Sequence, residues 1–440
     1  MQDWLTKSAA DLGRAIETGE IDPVDLTETF LEAIDAHPFS NRIFAHVLTD
    51  RARAEAAEAS KRAKAGARLS LLDGVPITWK DLYDTADVPC ESGTLMLKGR
   101  VPSDDAQVVK NARRAGMVTL AKTHQTEFAF SGLGVNPVTQ SPPNVHDHDA
   151  ASGGSSSGAG ASVAFDLAPV SIGSDTGGSV RIPSVWNDLV GLKTVSGRIS
   201  LSGVIPLCAR FDTAGPLCRS VEDAALMLGV LDDGVPHAAT AETLEGKRFA
   251  ILRTTAFEGI EDAPKAAFES SVSRLASAGV TFTEIDVPEV AEATSLGPTL
   301  FPAEAYGTWK AEIDAGEDMM YPPVRTRFLQ GKTIMAHEFV AAWRRLDVLR
   351  EIYRAATKDF DAVVLPSAPI LPPKIADLLN DDDHFTAMNL MALQNTRIGS
   401  LMGLAAITIP TDVPACGFML QGPREEAILP LALSVEAVLS

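Results

Sequence analysis

The chain contains two stretches dense in glycine and serine, Gly153-Gly-Ser-Ser-Ser-Gly158 and Gly173-Ser-Asp-Thr-Gly-Gly-Ser-Val-Arg181. A third segment, Gly74-Val-Pro-Ile-Thr-Trp-Lys-Asp81, lies upstream of both. Runs rich in glycine and serine are typical of flexible linkers. Here, however, they flank an apolar segment and lie between segments that read as buried core, and long ordered loops inside a domain are usually functional. We therefore interpret these stretches as functional loops.

Two other glycine-rich motifs compete for this region. A phosphate-binding loop requires Gly-x-x-x-x-Gly-Lys-Ser/Thr or Gly-x-Gly-x-x-Gly, and neither pattern occurs here. The nucleophile elbow of α/β hydrolases, Gly-x-Ser-x-Gly, matches formally at 154–158. That motif needs an acid and then a histidine downstream, and none of the candidate histidines has a catalytic context: His237, His337 and His384. We therefore disfavour both motifs.

Taken together, the three segments resemble the amidase signature family of serine hydrolases. Further segments that fit the family pattern are 123–129, 136–137, 191–193, 197–198, 212–216, 221–224 and 403–410. The match is dense over about 70–230 and thinner beyond, and little in 240–335 is diagnostic. The chain departs from the usual pattern at Ser152 and Ser157, where relatives often carry proline and glycine. Neither departure touches the predicted catalytic groups.

The resemblance implies that Ser179 is the nucleophile, Ser155 a bridging serine and Lys80 the general base. It also implies a cis peptide bond entering Ser155. These residue types suit the chemistry, because a serine hydroxyl is a weak nucleophile that needs a base within hydrogen-bonding reach. A lysine can serve as that base when burial lowers its pKa and leaves the amine neutral.

The glycines before the nucleophile have a separate predicted role. Backbone N–H groups in a loop without bulky side chains can converge on the oxyanion of a tetrahedral intermediate. The predicted oxyanion hole consists of Thr176, Gly177, Gly178 and Ser179.

Further site residues are assigned by the same resemblance. The predicted substrate-binding residues are Ala129, Ser131, Ser155 and Arg181. For Arg181 the alternative, which we favour, is that it pins the loop after the nucleophile. Asn136 and Asp175 are interpreted as hydrogen-bonding supports of the loops rather than as acid–base groups.

Other polar groups give weaker signals. The segment His146-Asp-His-Asp149 contains metal-ligand residue types, but it lies in a polar loop with no further cluster, so we predict no metal site. Arg325 and Arg327 could clamp a substrate carboxylate, although ion pairing on a helix surface is the favoured role. Cys90 and Cys218 are expected to be core residues.

Helix-like segments, among them 23–36, 264–277 and 336–358, alternate with strand-like segments along the chain, which indicates an α/β fold. Asp22 and Pro23 form a cap and first-turn signal for the first of these helices. With the resemblance, this predicts a mixed, mostly parallel β-sheet covered by helices on both faces. We expect a single domain, 1–440, in four parts: N-terminal helices at 1–70, the catalytic core at 71–235, a variable substrate-pocket region at 236–370 and the C-terminal part of the core at 371–440.

Composition limits the partners and the location. The chain has 38 basic and 58 acidic residues, a net charge of −20, which disfavours direct nucleic-acid binding and adhesion to anionic membranes. Four scattered cysteines fit a reducing compartment, no secretion signal is apparent, and no apolar run approaches the roughly 20 residues of a membrane span. We expect a cytoplasmic protein without cofactors, and a homodimer built on the N-terminal helices is compatible with this interpretation.

The predicted function is hydrolysis of the C–N bond of a small amide or ureido compound through an acyl-enzyme. One alternative is the glutamine-hydrolysing subunit of a tRNA-dependent amidotransferase, which shares these motifs and works only with partner chains. The other is an inactive binding protein on the same fold, which intact Lys80, Ser155 and Ser179 argue against.

Overall fold

One β-sheet runs through the structure, a computed structural model that describes residues 4–316 and 318–440. Within that part of the chain the sheet has eleven strands in the order β1-β3-β2-β4-β6-β5-β10-β11-β9-β7-β8. The strands are β1 Phe44–Val47, β2 Pro76–Lys80, β3 Val118–Thr123, β4 Val170–Ser174, β5 Val190–Lys193, β6 Ala214–Cys218, β7 Arg248–Leu252, β8 Thr281–Ile285, β9 Ala362–Pro366, β10 Ala405–Pro410 and β11 Gly417–Gly422.

Sixteen α-helices connect and cover these strands within the same described residues. They are α1 Ala9–Thr18, α2 Pro23–Ala36, α3 Ser40–Ile43, α4 Thr49–Lys64, α5 Gln107–Arg114, α6 Ser157–Ala164, α7 Arg181–Val185, α8 Val221–Asp233, α9 Asp262–Ser277, α10 Pro288–Ala315, α11 Pro322–Gln330, α12 Ala336–Thr357, α13 Ile375–Asn380, α14 Asp382–Ala392, α15 Gln394–Met402 and α16 Glu425–Leu439. Among the helices of residues 4–316 and 318–440, none is both long enough and apolar enough to cross a bilayer.

The predicted α/β fold with a mixed sheet is confirmed, although its parallel share is smaller than expected. Of the ten strand pairings in the described chain, four are parallel and six antiparallel. One source of the difference is the hairpin of β10 and β11, because a short connection can join only antiparallel strands. The parallel pairs include β2 with β3 and β2 with β4, which lie side by side.

Helices cover both faces of the sheet, as two glycines of β11 demonstrate. A Cβ at Gly417 would meet Val185, the last residue of α7, whereas a Cβ at Gly422 would meet Ile428 of α16. The two glycines are five positions apart, and side chains alternate between the faces of a strand. Helices α7 and α16 therefore lie on opposite faces. Every residue of β2, β3 and β4 is buried, as expected for strands covered on both sides.

Helix α2 begins at a clear local signal. Asp22 accepts a hydrogen bond from the backbone N–H of Val24 at 2.9 Å, and Pro23 occupies the first turn, so α2 begins where the cap and the proline indicate. The predicted helices at 264–277 and 336–358 match α9 and α12 closely.

Helix α10 is not predicted by the sequence. It contains Pro298 and Pro302 in its interior and a non-helical residue at Trp309, features that weaken a helical pattern. It packs against α11 and α12. Packing of this kind can stabilise a helix that local propensity disfavours.

Candidate active site

The site lies at the carboxyl ends of two neighbouring parallel strands, β2 and β4. Strands β2 and β4 pair in parallel with Thr78 opposite Ser171, so their carboxyl ends meet at one edge. Lys80 is the last residue of β2 and Ser174 the last residue of β4. The Lys80 Nζ lies 2.8 Å from the Ser174 Oγ. The first catalytic candidate is thus held on regular sheet structure.

The loop before α6 places the predicted bridging serine against this lysine. The Ser155 Oγ lies 2.6 Å from the Lys80 Nζ, and the Ser155 side chain is fully buried. The peptide bond between Gly154 and Ser155 is cis, as the resemblance implied. On either side of this bond, the backbone N–H of Gly154 donates to a loop carbonyl at 2.8 Å and the Ser155 carbonyl accepts from Thr126 at 3.0 Å.

Burial determines the protonation of the lysine. Removal of its amine from water lowers the pKa of Lys80 to about 7, and the carboxylates of Asp212 and Asp175 oppose this effect only in part. Within the described chain, Lys80 forms no ion pair. Near neutral pH a large fraction of the amine is therefore uncharged and able to accept a proton.

The loop after β4 contains consecutive backbone N–H groups that have no hydrogen-bond acceptor among the described residues. None of the backbone N–H groups of 176–179 donates a hydrogen bond to another described residue. Thr176, Gly177 and Ser179 line the same cavity. Gly178 has a φ of 149°, and a Cβ there would lie 2.2 Å from the Thr396 Oγ1, so this position accepts only glycine. The loop can thus bring unpaired donors to a developing oxyanion.

Arg181 lies beneath this loop, and its predicted role as a substrate contact is wrong. Its Nε and Nη2 each donate to the Asp175 carboxylate at 2.9 Å. Its Nη1 donates to the Thr396 carbonyl at 2.6 Å, and Nη2 also donates to the Ser400 Oγ at 3.1 Å. The guanidinium is fully buried and hydrogen-bonded to protein groups, so Arg181 connects the loop after β4 to helix α15.

The Asp175–Arg181 pair gives a testable stability prediction. Burial alone would raise the pKa of Asp175, but the adjacent Arg181 guanidinium outweighs it and the pKa is lowered, so the site favours the ionised carboxylate. We expect Asp175→Asn to destabilise the fold by about 3–5 kcal/mol, because it leaves a buried guanidinium without its counter-charge. Denaturant unfolding measures this loss.

A matched control is Glu292→Gln, which breaks the exposed ion pair with Arg345 and should leave the unfolding midpoint unchanged. Equal midpoints for Asp175→Asn and the parent protein would contradict the structural role assigned to this pair.

Of the four remaining predicted residues, two line the cavity and two do not. Ala129 and Ser131 line the cavity. The Asn136 amide donates to two backbone carbonyls, both at 2.8 Å, and its Oδ1 accepts from the backbone of the next turn. Asn136 thus has the contacts expected of a loop support. Ser155 is fully buried beside Lys80 rather than on the cavity surface, so a direct contact with substrate is not supported for it.

The cavity beside Ser179 has a volume of about 440 Å³. Two arginines line it, Arg327 on α11 and Arg397 on α15. The interpretation of Arg327 as a residue of helix-surface ion pairs is therefore wrong, because its guanidinium faces the interior. The sequence does not single out Arg397, and no local motif marks it.

Sequence reasoning also misses Ser174, the second hydroxyl next to Lys80. It lies inside the quoted segment 173–181, but only the pairing of β2 with β4 brings it to the lysine. The histidine-rich loop, in contrast, is held by ordinary polar contacts: the His146 Nε2 lies 2.8 Å from the Asp188 carboxylate, and Asp147 pairs with Lys374. No cluster of three or more metal-binding side chains exists among the residues described.

Comparisons with known proteins identify the family of this chain. A model of the family described as Amidase matches residues 25–425. The chain is 33% identical over 406 residues to 2-amino-5-chloromuconic acid deaminase of Comamonas testosteroni, covering 88% of this chain and 87% of the relative. It is 32% identical over 469 residues to a glutamyl-tRNA(Gln) amidotransferase subunit of Chloroflexus aggregans, covering 97% and 94%.

A solved structure described as an amidase has the same fold. It superimposes with a TM-score of 0.89 at 27% sequence identity, and the match covers 99% of this chain and all of the other. The resemblance found in the three sequence segments is thereby confirmed. The chain belongs to the amidase family, and its relatives include enzymes that act on carbon–nitrogen bonds.

Proposed function

We propose that this protein hydrolyses the C–N bond of a small amide through an acyl-enzyme on Ser179. The observation that carries the proposal is the buried Lys80 amine, 2.6 Å from the Ser155 Oγ and without an ion-pair partner in the described chain. A lysine held in this way can act as a general base near neutral pH. The reaction also requires stabilisation of the oxyanion, and the unpaired backbone N–H groups of 176–179 can provide it.

In the proposed reaction the Ser179 oxygen attacks the amide carbonyl carbon. Its proton passes to the Ser155 oxygen while Ser155 gives its own proton to the neutral Lys80 amine. The tetrahedral intermediate then carries its negative oxygen towards the N–H groups of 176–179. As the C–N bond breaks, the proton returns along the same relay to the leaving nitrogen.

Deacylation repeats these steps with water in place of the serine hydroxyl. Water attacks the ester carbonyl of the acyl-enzyme and loses a proton to the relay. When the C–O bond to Ser179 breaks, the relay returns that proton to the Ser179 oxygen. The products are a carboxylic acid and ammonia or an amine, and the enzyme regains its starting protonation state.

The substrate class follows from the size and the walls of the cavity. A volume of about 440 Å³ suits a small molecule. The walls combine apolar side chains with a few polar groups, as in most small-molecule sites. We propose a small amide or a ureido compound. The deaminase relative, whose name describes loss of an amino group from an acid, fits release of ammonia as the outcome.

A second candidate is glutamine hydrolysis as the subunit of an amidotransferase. It is favoured by the 32% identity that extends over 97% of this chain. The two functions differ in their need for partners. An amidase turns over small amides alone, whereas an amidotransferase subunit is expected to hydrolyse glutamine efficiently only when its partner chains are present.

The test is an assay of ammonia release by the purified chain over small amides, ureido acids and glutamine. We expect turnover of at least one small amide by the chain alone, abolished in Ser179→Ala. Turnover of glutamine only after addition of partner subunits would favour the second candidate. No acylation and no turnover with any compound would favour an inactive binding protein.

A further inference from the structure

Two positive charges in the cavity have no negative partner among the residues that the structure describes. The cavity lining includes Arg327 and Arg397 and no aspartate or glutamate. This is unusual for a chain with 58 acidic residues and a net charge of −20. Neither guanidinium forms an ion pair with a carboxylate of the described residues. The site therefore concentrates positive charge in an otherwise acidic molecule.

The protein holds the first of these arginines in a fixed position. Arg327 donates from Nη1 to the Phe130 carbonyl, and its guanidinium lies 4.2 Å from the centre of the Phe130 ring. These contacts orient the group without neutralising its charge. Phe130 also lines the cavity, between Ala129 and Ser131.

The second arginine is less constrained by the protein. Arg397 lies in α15, and its guanidinium makes no hydrogen bond to any residue that the structure describes. Its backbone N–H donates to the Leu393 carbonyl at 2.9 Å within the helical region. All five guanidinium donors are thus available to a molecule in the cavity.

Both groups remain charged at neutral pH despite their surroundings. Burial lowers the pKa of Arg327 to about 9, with a further contribution from the like charge of Arg397, and burial lowers the pKa of Arg397 to about 10. Two like charges placed together away from bulk water are unfavourable without an anion. The free enzyme bears this unfavourable arrangement, and a bound anion would relieve it.

We propose that Arg327 and Arg397 bind a carboxylate of the substrate, which is therefore the half-amide of a dicarboxylic acid. Planar guanidinium groups match the two oxygens of a carboxylate. If ammonia is the leaving group, the carboxylate must belong to the acyl portion that becomes attached to Ser179. This inference rests on the proposed amidase function and specifies the substrate class within it.

The same charges disfavour an amino acid amide such as glutamine. Its α-ammonium group would enter a cavity that has two guanidinium groups and no acidic side chain in its lining. Asn389 offers an amide oxygen, but this oxygen already accepts from the Gly132 N–H at 2.8 Å and the Ser131 hydroxyl at 3.2 Å. A half-amide carries the matching charge without the opposing one.

The test separates binding from turnover. Calorimetry on the Ser179→Ala protein compares malonamate, succinamate and glutaramate with the neutral amides of the same chain length, propionamide, butyramide and valeramide. We expect at least one half-amide to bind about 10-fold or more tightly than its neutral counterpart. Arg397→Gln added to this protein should weaken that binding by about 10-fold or more, and Arg397→Lys should restore part of it.

The control is Arg344→Gln, which removes the same charge from an exposed position on α12. It should leave half-amide binding unchanged, and a matching thermal midpoint for Arg397→Gln and the parent protein shows that the fold is intact. Equal binding of half-amides and neutral amides, or binding insensitive to Arg397→Gln, would overturn the carboxylate site.

Turnover by the wild-type enzyme then tests the proposed amidase function and the proposed substrate class separately. Hydrolysis of neutral amides as efficient as that of half-amides would leave the amidase function standing and overturn the substrate class. Tight, Arg397-dependent binding of half-amides without hydrolysis would support the carboxylate site and reject the amidase function.

Discussion

Replacement of Ser179 by alanine should abolish acylation of the protein by a fluorophosphonate probe. The probe reacts with an activated serine oxygen, and this variant removes that single atom while it retains the backbone N–H of the loop. Amide turnover should fall by about 10⁴-fold or more, because the covalent route is lost and only binding and oxyanion stabilisation remain. Intact-protein mass spectrometry measures the labelling, and ammonia release measures the turnover.

Ser103→Ala is a suitable control, because this serine is exposed and lies in a loop before α5. It should label and turn over as the parent protein does. Persistent stoichiometric labelling of the Ser179→Ala protein would remove Ser179 from the role of nucleophile.

Replacement of Lys80 by methionine should reduce turnover by about 10²–10⁴-fold near neutral pH. Methionine keeps an apolar chain of similar length in the buried space, so the fold should persist. The reaction slows because no neutral amine then accepts the proton that leaves Ser155. Lys80→Ala should give a similar loss of activity with a larger loss of stability, since it leaves a cavity.

Lys193 provides a matched control for this experiment. It is also fully buried, and burial lowers its pKa to about 7 as well. Its amine, however, donates to the backbone carbonyls of Thr194 and Leu404 at 2.8 and 2.9 Å. Lys193→Met should therefore lower stability and leave the activity of the folded protein largely intact. Near-normal turnover by Lys80→Met would place the base elsewhere.

The two lysines also show how far the sequence can identify the site. A depressed pKa does not distinguish Lys80 from Lys193, since burial acts on both. The motif around Lys80 and its combination with the two serine-rich loops distinguish it on the amino-acid sequence alone. Motifs of this kind are informative because the reaction restricts both the residue types and the loop geometry around them.

The arginines illustrate contacts that sequence motifs do not predict. Arg181 belongs to a motif, yet its guanidinium is occupied by Asp175 together with Thr396 and Ser400 of the distant helix α15. Arg397 belongs to no motif, yet tertiary packing brings α15 and α11 to the same cavity. Contacts between segments so distant in sequence depend on the assembled fold, and local sequence patterns do not reveal them.

The sequence likewise predicts the type of fold but not the order of its strands. Alternating helices and strands indicate an α/β sheet, and the start of α2 follows from the cap at Asp22 and from Pro23. The strand order and five of the six antiparallel pairings depend on how long connections return to the sheet. Hydrophobic patterns locate strands but do not specify their neighbours.

The measurement that tests the central claim most directly is the pH dependence of Ser179 labelling by a fluorophosphonate probe. Only the neutral Lys80 amine accepts a proton, so the labelling rate should rise with pH and reach half its maximum near the pKa of Lys80, about 7. Lys80→Met should remove this rise and leave slow labelling. A rate that does not change between about pH 5 and about pH 9, or the same midpoint in Lys80→Met, would contradict the account.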